Sequence, residues 1–105
     1  RYSYFDTNEL FTFNLILEGG VPAVDAIQNG KNITLTIGNI SSDNVLGGGD
    51  ETEVDFASTG SANQQKLILT GGDNTSTYKF QAKTKEDYKI SYIESESTLR
   101  IEIKN

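Results

Sequence analysis

Residues 77–103, TYKFQAKTKEDYKISYIESESTLRIEI, carry three runs in which apolar and polar side chains alternate. Tyr78, Phe80 and Ala82 alternate with Lys79, Gln81 and Lys83. Tyr88, Ile90 and Tyr92 alternate with Lys89 and Ser91, and Leu99, Ile101 and Ile103 alternate with Arg100 and Glu102. A period of two puts one face of each run in a core and the other in water, the pattern of an antiparallel sheet. The stretch therefore predicts three consecutive strands, a meander on which the rest of the chain folds.

Upstream, residues 10–17 (LFTFNLIL) form the most apolar segment. Phe11, Phe13, Leu15 and Leu17 share one face, and Leu10 and Ile16 lie on the other. Apolar residues on both faces mark a strand in the interior of a sheet, or one whose outer face a partner covers; the interior position is favoured. Residues 1–5 (RYSYF) read as a short first strand or an arm. Gly19-Gly20 end the apolar segment, and Pro22, the only proline, precedes a new strand. Asn29-Gly30 between residues 23–28 and 31–38 is a hairpin signal. A two-residue loop there sets Ala26 opposite Ile33 and Val24 opposite Leu35, on one face. Residues 39–52 form a polar, glycine-containing loop, and residues 53–58 and 65–70 are strands. Residues 71–74 turn the chain into the opening stretch, and residues 83–89 read as a loop or a single helical turn. Leu-x-Gly-Gly at Leu17, Leu46 and Leu69 recurs at uneven spacing and is a repeated strand-ending device, not a solenoid.

The expected fold is all-β: a two-sheet antiparallel β-sandwich of eight or nine short strands, in one domain spanning residues 1–105. Hydrophobic residues at 35% of the chain, with abundant Gly, Ser, Thr and Asn, suit short strands and many turns. The closing pattern Tyr78-x-Phe80-x-Ala82, Tyr88-x-Ile90-x-Tyr92, Leu99-x-Ile101-x-Ile103 resembles the final strands of secreted immunoglobulin-like and jelly-roll-like modules. That resemblance rests on alternation and carries no functional residue with it. The start at Arg1 and the lack of any Met suggest a piece excised from a longer surface or secreted protein.

Composition narrows the chemistry. Cysteine and histidine are both absent. Thiolate metal sites, disulfides, Cys/His pairs and the Ser-His-Asp arrangement go with them. Fifteen acids against nine bases give a net charge of -6. Nucleic acid, which is bound by neutralising phosphates, is not an expected partner, and neither is an anionic bilayer. No apolar run approaches the length of a membrane span, so this segment inserts into no membrane directly.

Four features carry the remaining candidates. Asp43, Asn44, Asp50 and Glu51 lie in a glycine-rich acidic loop and offer oxygens of the kind calcium takes, although their spacing is not that of an EF-hand. A solvated acidic loop is the simpler account, and no other cofactor is expected. Gly47-Gly48-Gly49 lacks the following helix and lysine of a phosphate loop. Tyr2 and Tyr4, near the chain end, are the tyrosines expected to be most exposed, and a sugar ring would stack on such side chains. Lys66, Lys79, Lys83, Lys85 and Lys89 fall in one part of the chain and the acids of residues 43–55 in another. If they occupy opposite ends of the sandwich, copies stack head to tail; edge lysines that discourage strand pairing explain them as well. Asn32, Asn39 and Asn74 open N-glycosylation triplets.

The sequence is read as a non-catalytic, extracellular or cell-surface module of a surface protein or appendage subunit (filament, pilus or archaellum type). It acts through a protein partner or self-assembly. A carbohydrate-binding or adhesion module, with or without calcium, is the alternative. A small hydrolase with paired carboxylates is a remote one.

Overall fold

A computed structural model describes residues 2–17, 23–38, 51–72 and 75–105. They form nine strands: β1 Tyr2–Asp6, β2 Leu10–Ile16, β3 Ala23–Asn29, β4 Asn32–Gly38, β5 Glu51–Asp55, β6 Gln64–Gly72, β7 Thr75–Ala82, β8 Tyr88–Ile93 and β9 Thr98–Lys104. A 3₁₀ turn, Glu94–Glu96, joins β8 to β9, closed by Ser97 in the left-handed region at φ 50°. The strands make a four-stranded sheet, β1-β2-β9-β8, and a five-stranded sheet, β3-β4-β7-β6-β5. Every pairing is antiparallel. The molecule is a two-sheet antiparallel β-sandwich, as the alternation predicts. Within the second sheet β4-β7-β6-β5 is a Greek key, three hairpin-linked strands with β4 laid beside β7.

One expectation is overturned. Residues 77–103 are three strands but not a meander, because β7 lies in the five-stranded sheet and β8 and β9 lie in the other. The link at residues 83–87 crosses between layers. Alternation cannot distinguish the cases, since Phe80 and Ile101 point into the same interior from opposite sides. The link is a loop, held by Lys83 N–H donating to Asn63 O (2.9 Å) and by Thr84 N and Oγ1 donating to Asn63 Oδ1 (both 3.1 Å).

The hairpin β3-β4 is also displaced from its predicted register. Asn29 faces Asn32, Ala26 faces Leu35 and Val24 faces Ile37. The turn residues are Gly30 and Lys31 rather than Asn29 and Gly30. Gly30 has φ +61° while Lys31 is not in the positive region, so glycine takes the first central position, as a type II′ turn requires. The two-residue shift keeps Val24 and Ala26 on the inward face. In β6 the register slips between Gln64 and Lys66. Gln65 is the bulged residue, and its carbonyl accepts from both Phe56 N (2.9 Å) and Ala57 N (3.1 Å). The bulge lets Gln64 and Leu67 both face inward although they differ in parity.

Phe11, Phe13, Leu15, Leu99, Ile101 and Ile103 of one sheet meet Ile33, Leu35, Ile37, Leu67, Leu69, Tyr78 and Phe80 of the other in a single buried cluster. Its centre is aromatic. Phe13 lies 5.4 Å from Phe80, 6.4 Å from Tyr78 and 5.6 Å from Tyr2. Phe11 lies 4.9 Å from Phe56. The expectation for residues 10–17 holds in its favoured form: β2 sits between β1 and β9.

Candidate functional site

Among the described residues each sheet ends in two edge strands with no further strand beside them, and their side chains differ. On β5, Glu53 and Asp55 stand exposed; on β8, Lys89 does; on β3, Asp25 does. Charges like these keep an edge from pairing with another chain. β1 has none between Tyr2 and Phe5. Its alternation turns Tyr2 and Tyr4 inward, so Ser3 and Phe5 face out. Phe5 is 66% exposed and, with Ile27 on β3, is one of two large apolar side chains so exposed among the described residues.

The strand is held rigidly. Tyr2 stacks on Phe13, and Tyr4 packs edge-on against Phe56 at 4.9 Å. The following turn is fastened by Thr7, whose N–H donates to Leu10 O (2.9 Å) and whose Oγ1 accepts from Leu10 N (3.0 Å). Asn105 Nδ2 donates to Asp6 Oδ1 and Thr7 O, both at 2.6 Å. Because Thr7 N–H points at β2, the alternation of an antiparallel pair sends the N–H groups of Phe5 and Ser3 the same way. Those of Tyr2, Tyr4 and Asp6 point out along the open edge.

The outer face beside this edge carries an ordered polar row. Ser3 faces Asn14, Asn14 faces Arg100, and Arg100 faces Ser91. Arg100 Nε donates to Asn14 Oδ1 at 2.8 Å, and Asn14 Nδ2 reaches Ser3 Oγ at 3.5 Å. Asn14 is buried beneath these neighbours although it faces away from the core. The next row runs Phe5, Thr12, Glu102, Lys89.

The residues singled out in the sequence do not converge. Tyr2 and Tyr4 share one face of β1, but it is the inner face, and their rings are half-buried core partners; the exposed aromatic of that strand is Phe5. Parity alone would have found it. Lys79 stands mid-sheet on the outer face of the five-stranded sheet, in the row Ile27, Thr34, Lys79, Ile68, Glu53. Lys83 and Lys85 are exposed in the crossing link, and Lys89 is on β8. Acids and lysines are not parted to opposite ends there: β5 pairs with β6, which brings Glu53 within 3.8 Å of Lys66. Asp43, Asn44 and Asp50 lie outside the described residues, as do Asn39 and Asn74. Glu51 is described only as the first backbone position of β5. Among the described residues no group of three or more acidic side chains is placed to hold a metal ion. None of them forms a helix long and apolar enough to cross a membrane. No protein-family model, no curated protein and no solved structure matches the chain.

Proposed function

We propose that the chain is a non-catalytic β-sandwich module working outside the cell or on its surface, as part of a surface protein or appendage subunit, by assembly or attachment through the β1 side. One observation carries the reading. An edge strand with no charge between Tyr2 and Phe5, its backbone donors directed outward and Phe5 exposed beside them, is pinned in place by core packing and by Asn105. A monomer with nothing to bind gains nothing from such an edge, and aggregation penalises it.

Two experiments test it. Intact cells treated with a membrane-impermeant amine reagent should be labelled at the exposed Lys83, Lys85 and Lys89; labelling only after lysis contradicts the location. A photo-crosslinking amino acid in place of Phe5 should give a discrete adduct on those cells, and a chain that stays uncrosslinked contradicts the attachment. A second reading, a sugar ring stacked on Phe5, is favoured by its position one row from the planar amide of Asn14 and guanidinium of Arg100. A glycan array separates the two, since only that reading predicts binding that Phe5→Ala removes.

A further inference from the structure

We infer that the outer face of the four-stranded sheet holds a carboxylated sugar, its carboxylate on the guanidinium of Arg100 and its ring on Phe5. The inference rests on the attachment reading above and names the chemistry of what is attached.

Arg100 is held as a ready-made fork. Its Nε donates to Asn14 Oδ1 at 2.8 Å, and Asn14 Nδ2 is turned to Ser3 Oγ at 3.5 Å. Asn14 is 6% exposed, so its amide is fixed between the two neighbours and the guanidinium leans from β9 across β2 toward β1. That bond leaves both Nη groups, which have no partner among the described residues. Two parallel N–H donors match the two oxygens of a carboxylate, and a single hydroxyl would use only one of them. A side chain already ordered by its neighbour also loses less freedom on binding.

The charges around Arg100 leave it the cation without a counterpart. Lys104 pairs with Asp87 at 3.9 Å. Glu102, the acid next along the outer face of β9, has Lys89 opposite it on β8. The net charge of -6 belongs to the whole chain, and at physiological ionic strength charges farther than about 8 Å apart are largely screened. The potential that a ligand meets at the guanidinium is therefore set by these neighbours and is positive.

Phe5 supplies the other half of the site. It stands opposite Thr12, so Asn14 is its diagonal neighbour across β1 and β2, about 7–8 Å away. With the guanidinium leaning over Asn14, one ring lying on Phe5 carries its carboxylate to Arg100. The ring of Phe5 is 66% exposed, an apolar surface among the hydroxyls and amide of Ser3, Thr12 and Asn14. A sugar offers the matching pair of surfaces, a C–H face for the ring and hydroxyls for the polar groups around it.

Calorimetric titration of the chain with two carboxylated sugars, oligogalacturonate and sialyllactose, tests this beside their methyl esters, lactose and a sulfated dextran oligomer. At least one carboxylated sugar should bind, and esterification, which removes its charge, should weaken binding by about tenfold or more. Ser91→Asp sets a carboxylate directly opposite Arg100 without touching Asn14, and should weaken binding as much as esterification does; Ser91→Asn should weaken it far less. Phe5→Ala should remove it. Arg100→Lys also disturbs Asn14, so Ser91→Asp carries the test, with melting curves to show that each variant is folded. Equal binding of an ester or of lactose, preference for the sulfated oligomer, or indifference to Ser91→Asp overturns the inference. Failure of both carboxylated sugars to bind overturns it too, and the crosslink at position 5 then decides separately whether the module attaches to something else.

Discussion

Replacing Phe13 by Ala removes the ring at the centre of the interior. Phe13 has no exposed surface, and its ring touches those of Tyr2, Phe80 and Tyr78. A buried Phe→Ala change costs about 3–5 kcal/mol in lost transfer energy and residual cavity. Three aromatic neighbours from both sheets and the edge strand put this case near the top of that range, because collapse around the hole would have to move β1, β2 and β7 together. For a domain of this size about 4 kcal/mol lowers the melting temperature by roughly 15–30 °C, a large share of the total stability, about 5–15 kcal/mol for a native protein. Phe5→Ala is the control. The same residue type, on the neighbouring strand but facing out, should change stability by about 0.5 kcal/mol or less. Urea unfolding of dilute protein followed by tyrosine fluorescence compares the two. Equal losses, or a Phe13 loss of about 1 kcal/mol or less, would refute the inward and outward assignment of β1 and β2.

Ser76 is buried, and its Oγ has no partner among the described residues, so Ser76→Ala should stabilise the protein by about 1 kcal/mol, seen as a raised urea midpoint at unchanged slope. Gly30→Ala should cost about 1–2 kcal/mol through backbone conformation alone, since a Cβ there meets nothing within 4 Å; Gly30→Asn should recover part of it, and thermal melts of both variants check this. Asn14→Ala leaves Arg100 Nε without its acceptor and should cost about 1.5–3 kcal/mol, the range for a hydrogen bond to a charged group. Chemical unfolding measures that loss, which Arg100→Lys should largely share.

Inward-facing residues were legible from period two alone. Phe11, Phe13, Leu35, Phe80 and Ile101 are where alternation puts them. The layer each strand belongs to was not legible, because a run facing the interior from above has the same pattern as one facing it from below. Only the path of residues 83–87, fixed by Asn63 and Thr84, separates β7 from β8. In the β3-β4 hairpin a glycine that accepts positive φ fits the second place of one turn or the first place of another, and because both registers keep Val24 and Ala26 inward, alternation does not choose between them. The Gln65 bulge has no local signature. At the candidate site, Phe5 follows from the parity of Tyr2 and Tyr4, while the Asn14–Arg100 pair spans 86 residues and leaves no trace in local sequence.

Amide hydrogen exchange at increasing protein concentration tests most directly whether β1 is an open edge waiting for a strand. In dilute solution the amides of Tyr2, Tyr4 and Asp6 should exchange quickly, while those of Phe13 and Ile101, inside the same sheet, stay protected. As concentration rises and molecules assemble, the three β1 amides should gain protection together. If the β1 amides are slow in the dilute monomer, or stay fast when the mass has doubled, the edge is not the joining surface.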